Sequence, residues 1–234
     1  MYTMEDLKTN RDAQITVGCV AFFLIAFPVY FSIAAAGAAG TTLGGGVGDY
    51  QVNGEIEYVL VDSGTEYVAD GTPWTGMFSS DSVDGAEDMN IVGIHLSLSY
   101  GEDETSNGLG CAAPGASNPD PDTISGMAMH GEHTGTADGQ NNGGSGAHEV
   151  MAEWYNASMV GAVVSGLSTS EIEAQIDSMG AGLGQYDVEI SVSAVGDSCT
   201  LIGGDNQDDG EEVSYTLELM VFDYTIAPYL EVDV

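Results

Sequence analysis

Apolar positions change their period along this chain, and each change marks a different kind of element. From Ile15 to Ala39, ITVGCVAFFLIAFPVYFSIAAAGAA, 25 residues pass without a charge. A helix rises 1.5 Å per residue, and about 20 apolar residues cross a hydrocarbon core. The run predicts a transmembrane helix over 13–39, with a kink where Pro28 lacks a main-chain donor. A cleaved secretory signal is the competing account, because residues 34–40 (AAAGAAG) have the small side chains of a cleavage site. Against it, the apolar run is far longer than the roughly 7–15 residues of a signal core.

Residues 40–48 are a Gly-rich tether, and beyond it the period becomes two. Over Gln51–Val61 the residues Val52, Ile56, Tyr58 and Leu60 share one face, and Glu55 and Glu57 the other. Glu66–Ala69 followed by GTPWTGMF reads as a short strand and a turn. Ile91–Tyr100 alternates most cleanly, with Val92, Ile94, Leu96, Leu98 and Tyr100 against Gly93, His95, Ser97 and Ser99. Such alternation marks a half-buried strand of an antiparallel sheet.

Residues 102–147, rich in Gly, Asn, Asp, Ser and Pro, predict a long loop leaving the sheet. Helical spacing comes next in 147–164, where Val150, Met151, Trp154 and Tyr155 fall on one stripe. A second helix is signalled by Ser168-Thr169-Ser170 ahead of EIEAQIDSMG, with Ile172, Ile176 and Met179 inward and Gly180 at its end. Tyr186–Ala194 and Val213–Ile226 alternate again and are expected to pair as a hairpin. In the second of these the inward set slips phase after Leu219, which a bulge or burial on both faces would produce. The predicted fold is an N-terminal transmembrane helix plus a mainly-β (α+β) extracytoplasmic domain over 49–234. That domain is expected to be an antiparallel sheet or β-sandwich with helices inserted over 147–180.

Charge changes the picture of the solvent. The chain of 234 residues has 2 Lys plus Arg and 37 Asp plus Glu, a net charge of −35. Both cations, Lys8 and Arg11, precede the apolar run, so the positive-inside tendency places residues 1–12 in the cytoplasm and the remainder outside. Three acids precede residue 13, which leaves 34 acids and no Lys or Arg in residues 13–234. Self-repulsion opposes folding of such a surface at low ionic strength. At molar salt the screening length is roughly 3 Å and the repulsion is largely gone. The expectation is a salt-adapted protein of a halophilic or marine archaeon, or a polyanion that collects divalent cations. Binding to nucleic acid or to anionic lipid headgroups is not expected, since both take basic groups.

Candidate chemistry is sparse. His130, His133 and His148 lie within 19 residues, with Met127 and Met129 nearby, a donor set that suits copper or zinc. Solvated loop histidines are the plainer account. Metalloprotease motifs fail: after His148-Glu149 the second ligand position is Ala152, and HGEH is one residue short of the inverted motif. Asp205 and Asp209 open a segment like the start of a calcium loop, but Thr216 stands where its final Glu belongs. Cys111 and Cys199 are expected to form a disulfide outside the membrane, the alternative being two free thiols. Cys19 lies in the apolar run. Asn156-Ala157-Ser158 is a glycosylation sequon within a predicted helix. No motif indicates catalysis.

An apolar N-terminal helix leading into a β-rich head resembles the general plan of archaeal type IV pilins and archaellins. In those families a basic and a small residue precede the cleavage point. Here Arg11-Asp12 stands before Ala13-Gln14, so Asp12 departs from that pattern. The resemblance covers about 35 residues and implies a filament subunit that self-associates. The leading expectation is instead a single-pass cell-surface protein, held in the membrane by residues 15–39. Its acidic head would be structural, adhesive or accessory to other envelope proteins. A metal-binding head built on the three histidines is the third reading.

Overall fold

The structure is a computed structural model. It describes residues 11, 14–15, 19–20, 22–27, 46–101, 117–118, 121–141, 144–195, 198–199 and 209–230, with 117–118 and 198–199 described by their main chain alone. The chain divides into two units, Met1–Gly46 and Val47–Val234. In the first unit residues 22–27 are helical, and Phe22, Phe23, Leu24, Ile25 and Phe27 are all exposed. Phe23 stacks on Phe27, one turn on, with ring centres 5.3 Å apart. Among the described residues no helix is long and apolar enough to cross a membrane.

The alternating segments of the second unit become strands β1 (Gly48–Ala69), β2 (Trp74–Ser79), β3 (Ile91–Gly101), β4 (Ser117–Asn118), β5 (Thr123–His130) and β6 (His133–Gln140). Then come β7 (Ser145–Glu153), β8 (Val163–Leu167), helix α1 (Thr169–Ile176), β9 (Gln185–Ser193), β10 (Ser198–Cys199) and β11 (Gly210–Pro228). Two antiparallel sheets result, β7-β3-β11-β1-β8 and β2-β9-β5-β6, with β10-β4 as a separate pair. The mainly-β expectation holds.

The main core lies between the two larger sheets. Ile94, Leu96 and Leu98 of β3 and Leu217 and Leu219 of β11 face Ile124 and Ala128 of β5 and Tyr186, Val188 and Ile190 of β9. Each fully buried aliphatic side chain contributes about 1.5–3 kcal/mol. A second cluster covers the opposite face of the five-stranded sheet at one end. There Val52, Val92, Met220 and Phe222 meet Ile172 and Ile176 of α1 and Met159. This explains the phase slip in β11, since Val213 to Leu219 face the main core while Met220 and Phe222 face the second. The register shift falls on the partner: Met220 pairs with Gly93 but Val221 with Ile91. Strand β1 carries its own bulge between Leu60 and Asp62. Before it Val52 faces the second cluster, and after it Val68 faces the main core.

Several expectations are overturned here. Residues 123–140, expected within a loop, form the β5–β6 hairpin. The glycines that suggested flexibility permit close approach of β6 to β7. A Cβ on Gly135 would lie 2.5 Å from the Met151 carbonyl carbon, and one on Gly139 would meet the Tyr100 hydroxyl and the His148 ring. The predicted helix over 147–164 is instead most of β7, a single 3-10 turn at Ala157–Met159 and the start of β8. Val150 and Ala152 are buried while Met151 is 47% exposed, which is strand alternation. β9 and β11 do not pair with each other; they belong to different sheets.

The helix at 169–176 does form, closed at its start by a reciprocal capping box between Ser168 and Glu171. The Ser168 main-chain N–H and hydroxyl hold the Glu171 carboxyl below its usual range. Ile172 and Ile176 are buried as expected, but Met179 is 75% exposed in a left-handed turn, φ 48°. The helix ends before it, so Gly180 does not cap it.

Candidate functional site

His130 and His133 close the β5–β6 hairpin as a directly opposed pair across Gly131-Glu132, with Gly131 at φ 58°. Opposed residues of an antiparallel pair share a face. Both rings accordingly lie against Trp154, at 5.0 and 5.6 Å between centres. His130 also packs on Tyr186 at 4.9 Å. Its Nδ1 lies 2.8 Å from the Gln185 carbonyl oxygen and its Nε2 2.7 Å from that of Ala181. Both ring nitrogens therefore face main-chain acceptors, and the ring pins the turn before β9 to the hairpin. Trp154 is held in turn by its indole N–H, which donates to the Ile91 carbonyl at 2.8 Å. Burial pushes the Tyr186 hydroxyl up to about 12, with a side-chain hydrogen bond to Ser80 acting the other way.

The third histidine is elsewhere. His148 stands opposite Leu98 on β7, and six extended residues, about 20 Å, separate it from Trp154. Its Nδ1 lies 3.1 Å from the Tyr100 hydroxyl, and its Nε2 is buried close to the main chain of β6. Burial lowers the His148 pKa, against smaller opposing effects of the Ala137 carbonyl and the Asp138 carboxylate. Met127 and Met129 are an odd number of residues from His130 on one strand, so they point to the other face. Among the described residues no three His, Cys, Asp or Glu side chains come together to hold a metal.

Of the remaining predicted positions, Asp205 and Cys111 lie outside the described residues. Asp209 is exposed, and its carbonyl accepts the Asp70 N–H at 2.9 Å. Cys199 pairs by its main chain with Ser117. Asn156 is not in an α-helix: it precedes the 3-10 turn Ala157–Met159.

Two polar groupings had no signal in the sequence pattern. His95 of β3 lies 3.1 Å from Glu218 of β11 and 3.6 Å from Glu149 of β7, beneath the Tyr58 ring. In a chain without Lys or Arg after Arg11, this ring is the group that lies between two carboxylates across three adjacent strands. The second is buried. Asp122, Asn141 and Glu211 are at most 1% exposed, and the Asn141 amide donates to Asp122 at 2.8 Å and to Glu211 at 3.4 Å. Asp122 also accepts the Val195 N–H at 2.6 Å, which ties the end of β9 to the start of β5. Both groupings join residues far apart in the chain, so only strand pairing reveals them.

Next to His95, the outer face of the five-stranded sheet carries small hydroxyl groups in cross-strand rows. One row is Ser63, Thr216, Ser97 and Glu149; the next is Thr65, Ser214, Ser99 and Ala147. Beside them Thr65, Ser99, Ser145, Glu212 and Ser214 line an open trough of about 650 Å³. This surface can exchange neutral hydrogen bonds, but it has no fixed cation to hold an anion. No model of a known protein family matches this chain, and no curated protein sequence matches it.

Proposed function

We propose that the chain is a single-pass membrane-anchored surface protein whose acidic β-sandwich head faces outward and serves a structural or adhesive role. The observation that carries this reading is the exposed apolar helix at residues 22–27. Leu24 is 70% exposed, Ile25 67% and Phe22 64%. Large apolar groups around a whole helix surface are stable in lipid or in a bundle of like helices, not in water. The uncharged run from Ile15 to Ala39 extends this segment to the length a bilayer requires. Lys8 and Arg11 set its direction. The division of the chain at Gly46, inside the Gly-rich stretch, fits a tethered head.

The test is protease applied to intact cells, combined with intact mass of the purified protein. Removal of the head by external protease, with Met1 or Tyr2 retained at the N-terminus, supports an anchored surface protein. A head untouched on intact cells but digested after lysis refutes the outward orientation. A mature N-terminus near Ala13 would assign the chain to filament assembly instead.

A further inference from the structure

We infer that Asn156 is an attachment site for an N-linked glycan, an inference that rests on the outward orientation of the head. As a sequence, Asn156-Ala157-Ser158 is placed in a helix, where a carboxamide is poorly presented to a transferase. In the structure it leaves β7 and enters one 3-10 turn, with Asn156 at φ −87°, ψ 85°, and Ala157 and Ser158 exposed. The turn organises the acceptor. Asn156 Oδ1 receives the Ser158 hydroxyl at 2.6 Å and the Ser158 N–H at 3.3 Å. Oδ1 is thus engaged from within the turn, and the amide nitrogen is the end left to reach away from it.

The amide nitrogen has two N–H groups, one of which donates to Gln175 Oε1 on α1 at 3.1 Å. Glycosylation consumes one N–H and keeps the other. The C1–O bond of a polyprenyl-phosphate-linked saccharide breaks, an Nδ2–C1 bond forms, and Nδ2 releases one proton while the lipid phosphate departs. One N–H therefore remains on Nδ2 once the sugar is attached, with Gln175 Oε1 within hydrogen-bond distance of that nitrogen. Met159, at the end of the turn, is buried beneath it and fixes its orientation. A sugar adds neutral hydration at a surface that has no cations of its own.

The test uses the full chain from its native host. Trypsin has no site beyond Arg11, but cleavage after glutamate releases Trp154–Glu171 as one peptide. That peptide should be heavier than its sequence by a whole number of sugar residues. Ser158→Ala and Asn156→Gln should abolish the increment, and Ser158→Thr should keep it with the same thermal midpoint. An unmodified peptide from a head that external protease removes from intact cells overturns the site and leaves the orientation standing. An unmodified peptide from a head that protease cannot reach overturns both. An increment that persists in Asn156→Gln overturns the assignment to this residue.

Discussion

Replacing Gly135 by Ala separates a packed β6 from a flexible loop. The added Cβ would sit 2.5 Å from the Met151 carbonyl carbon and 3.0 Å from the Ala152 nitrogen, where ordinary contact begins at 3.4 Å. The Met151 carbonyl oxygen is nearer still, and all three obstacles are main chain, so no side-chain rotation relieves them and β6 must retreat from β7. Overpacking of a filled interior costs about 1–3 kcal/mol, and a main-chain obstacle places this variant near the upper end of that range. At about 2–4 °C per kcal/mol for a domain of this size, the midpoint should fall by roughly 6–12 °C. Gly144→Ala is the internal control, because nothing lies within 4 Å of its Cβ position. There the loss of unfolded-state freedom should stabilise by about 0.4–1 kcal/mol. Thermal unfolding of both variants in molar KCl with mild detergent, monitored by circular dichroism, decides the matter. If Gly135→Ala unfolds within about 2 °C of the parent, well below the loss expected for overpacking, β6 does not hug β7 and the sandwich does not close on that side.

Individual side chains give further tests. Burial holds the His148 pKa below its unfolded value of about 6.5, so its stabilising contribution is complete above that pH and declines as pH falls toward the folded value. His148→Gln should therefore lose less stability than the parent as pH falls from neutrality to about 5, below that unfolded value; equal losses would remove His148 as the cause. Burial, aided by the Asp62 carboxylate, pushes the Tyr215 hydroxyl up to about 12, and that hydroxyl donates to Asp62 Oδ2 at 2.7 Å. Tyr215→Phe should cost about 1–3 kcal/mol and remove one late-ionising tyrosine from an alkaline absorbance titration. Tyr229→Phe, at an exposed residue, should leave stability unchanged. With a net charge of −35, the unfolding midpoint should climb steeply as KCl rises to about 1 M, where screening shortens to roughly 3 Å. A midpoint independent of salt would refute charge repulsion as the dominant destabilising force.

The sequence by itself determined those elements whose cause is local. Period-two alternation placed β3, β9 and β11 and the first part of β1, because a strand between core and solvent must alternate. Ser168-Thr169-Ser170 ahead of EIEAQIDSMG announced α1, because the signal for a helix start is complete within a few residues. Tertiary structure decided everything that depended on what lies across a strand. Gly135 and Gly139 read as loop residues until β7 supplied the neighbour that leaves no room for a Cβ. Val150 and Met151 fitted a helical stripe, and pairing of β7 with β3 turned one inward and the other out. His130 and His133 were brought together by a two-residue turn, whereas His148, close in sequence, was carried away along another strand. The Asp122–Asn141–Glu211 cluster and the His95 contacts join positions up to 123 residues apart, as His95 and Glu218 are. A sheet converts distant positions into neighbours through its strand order, and no short-range pattern in the chain encodes that order.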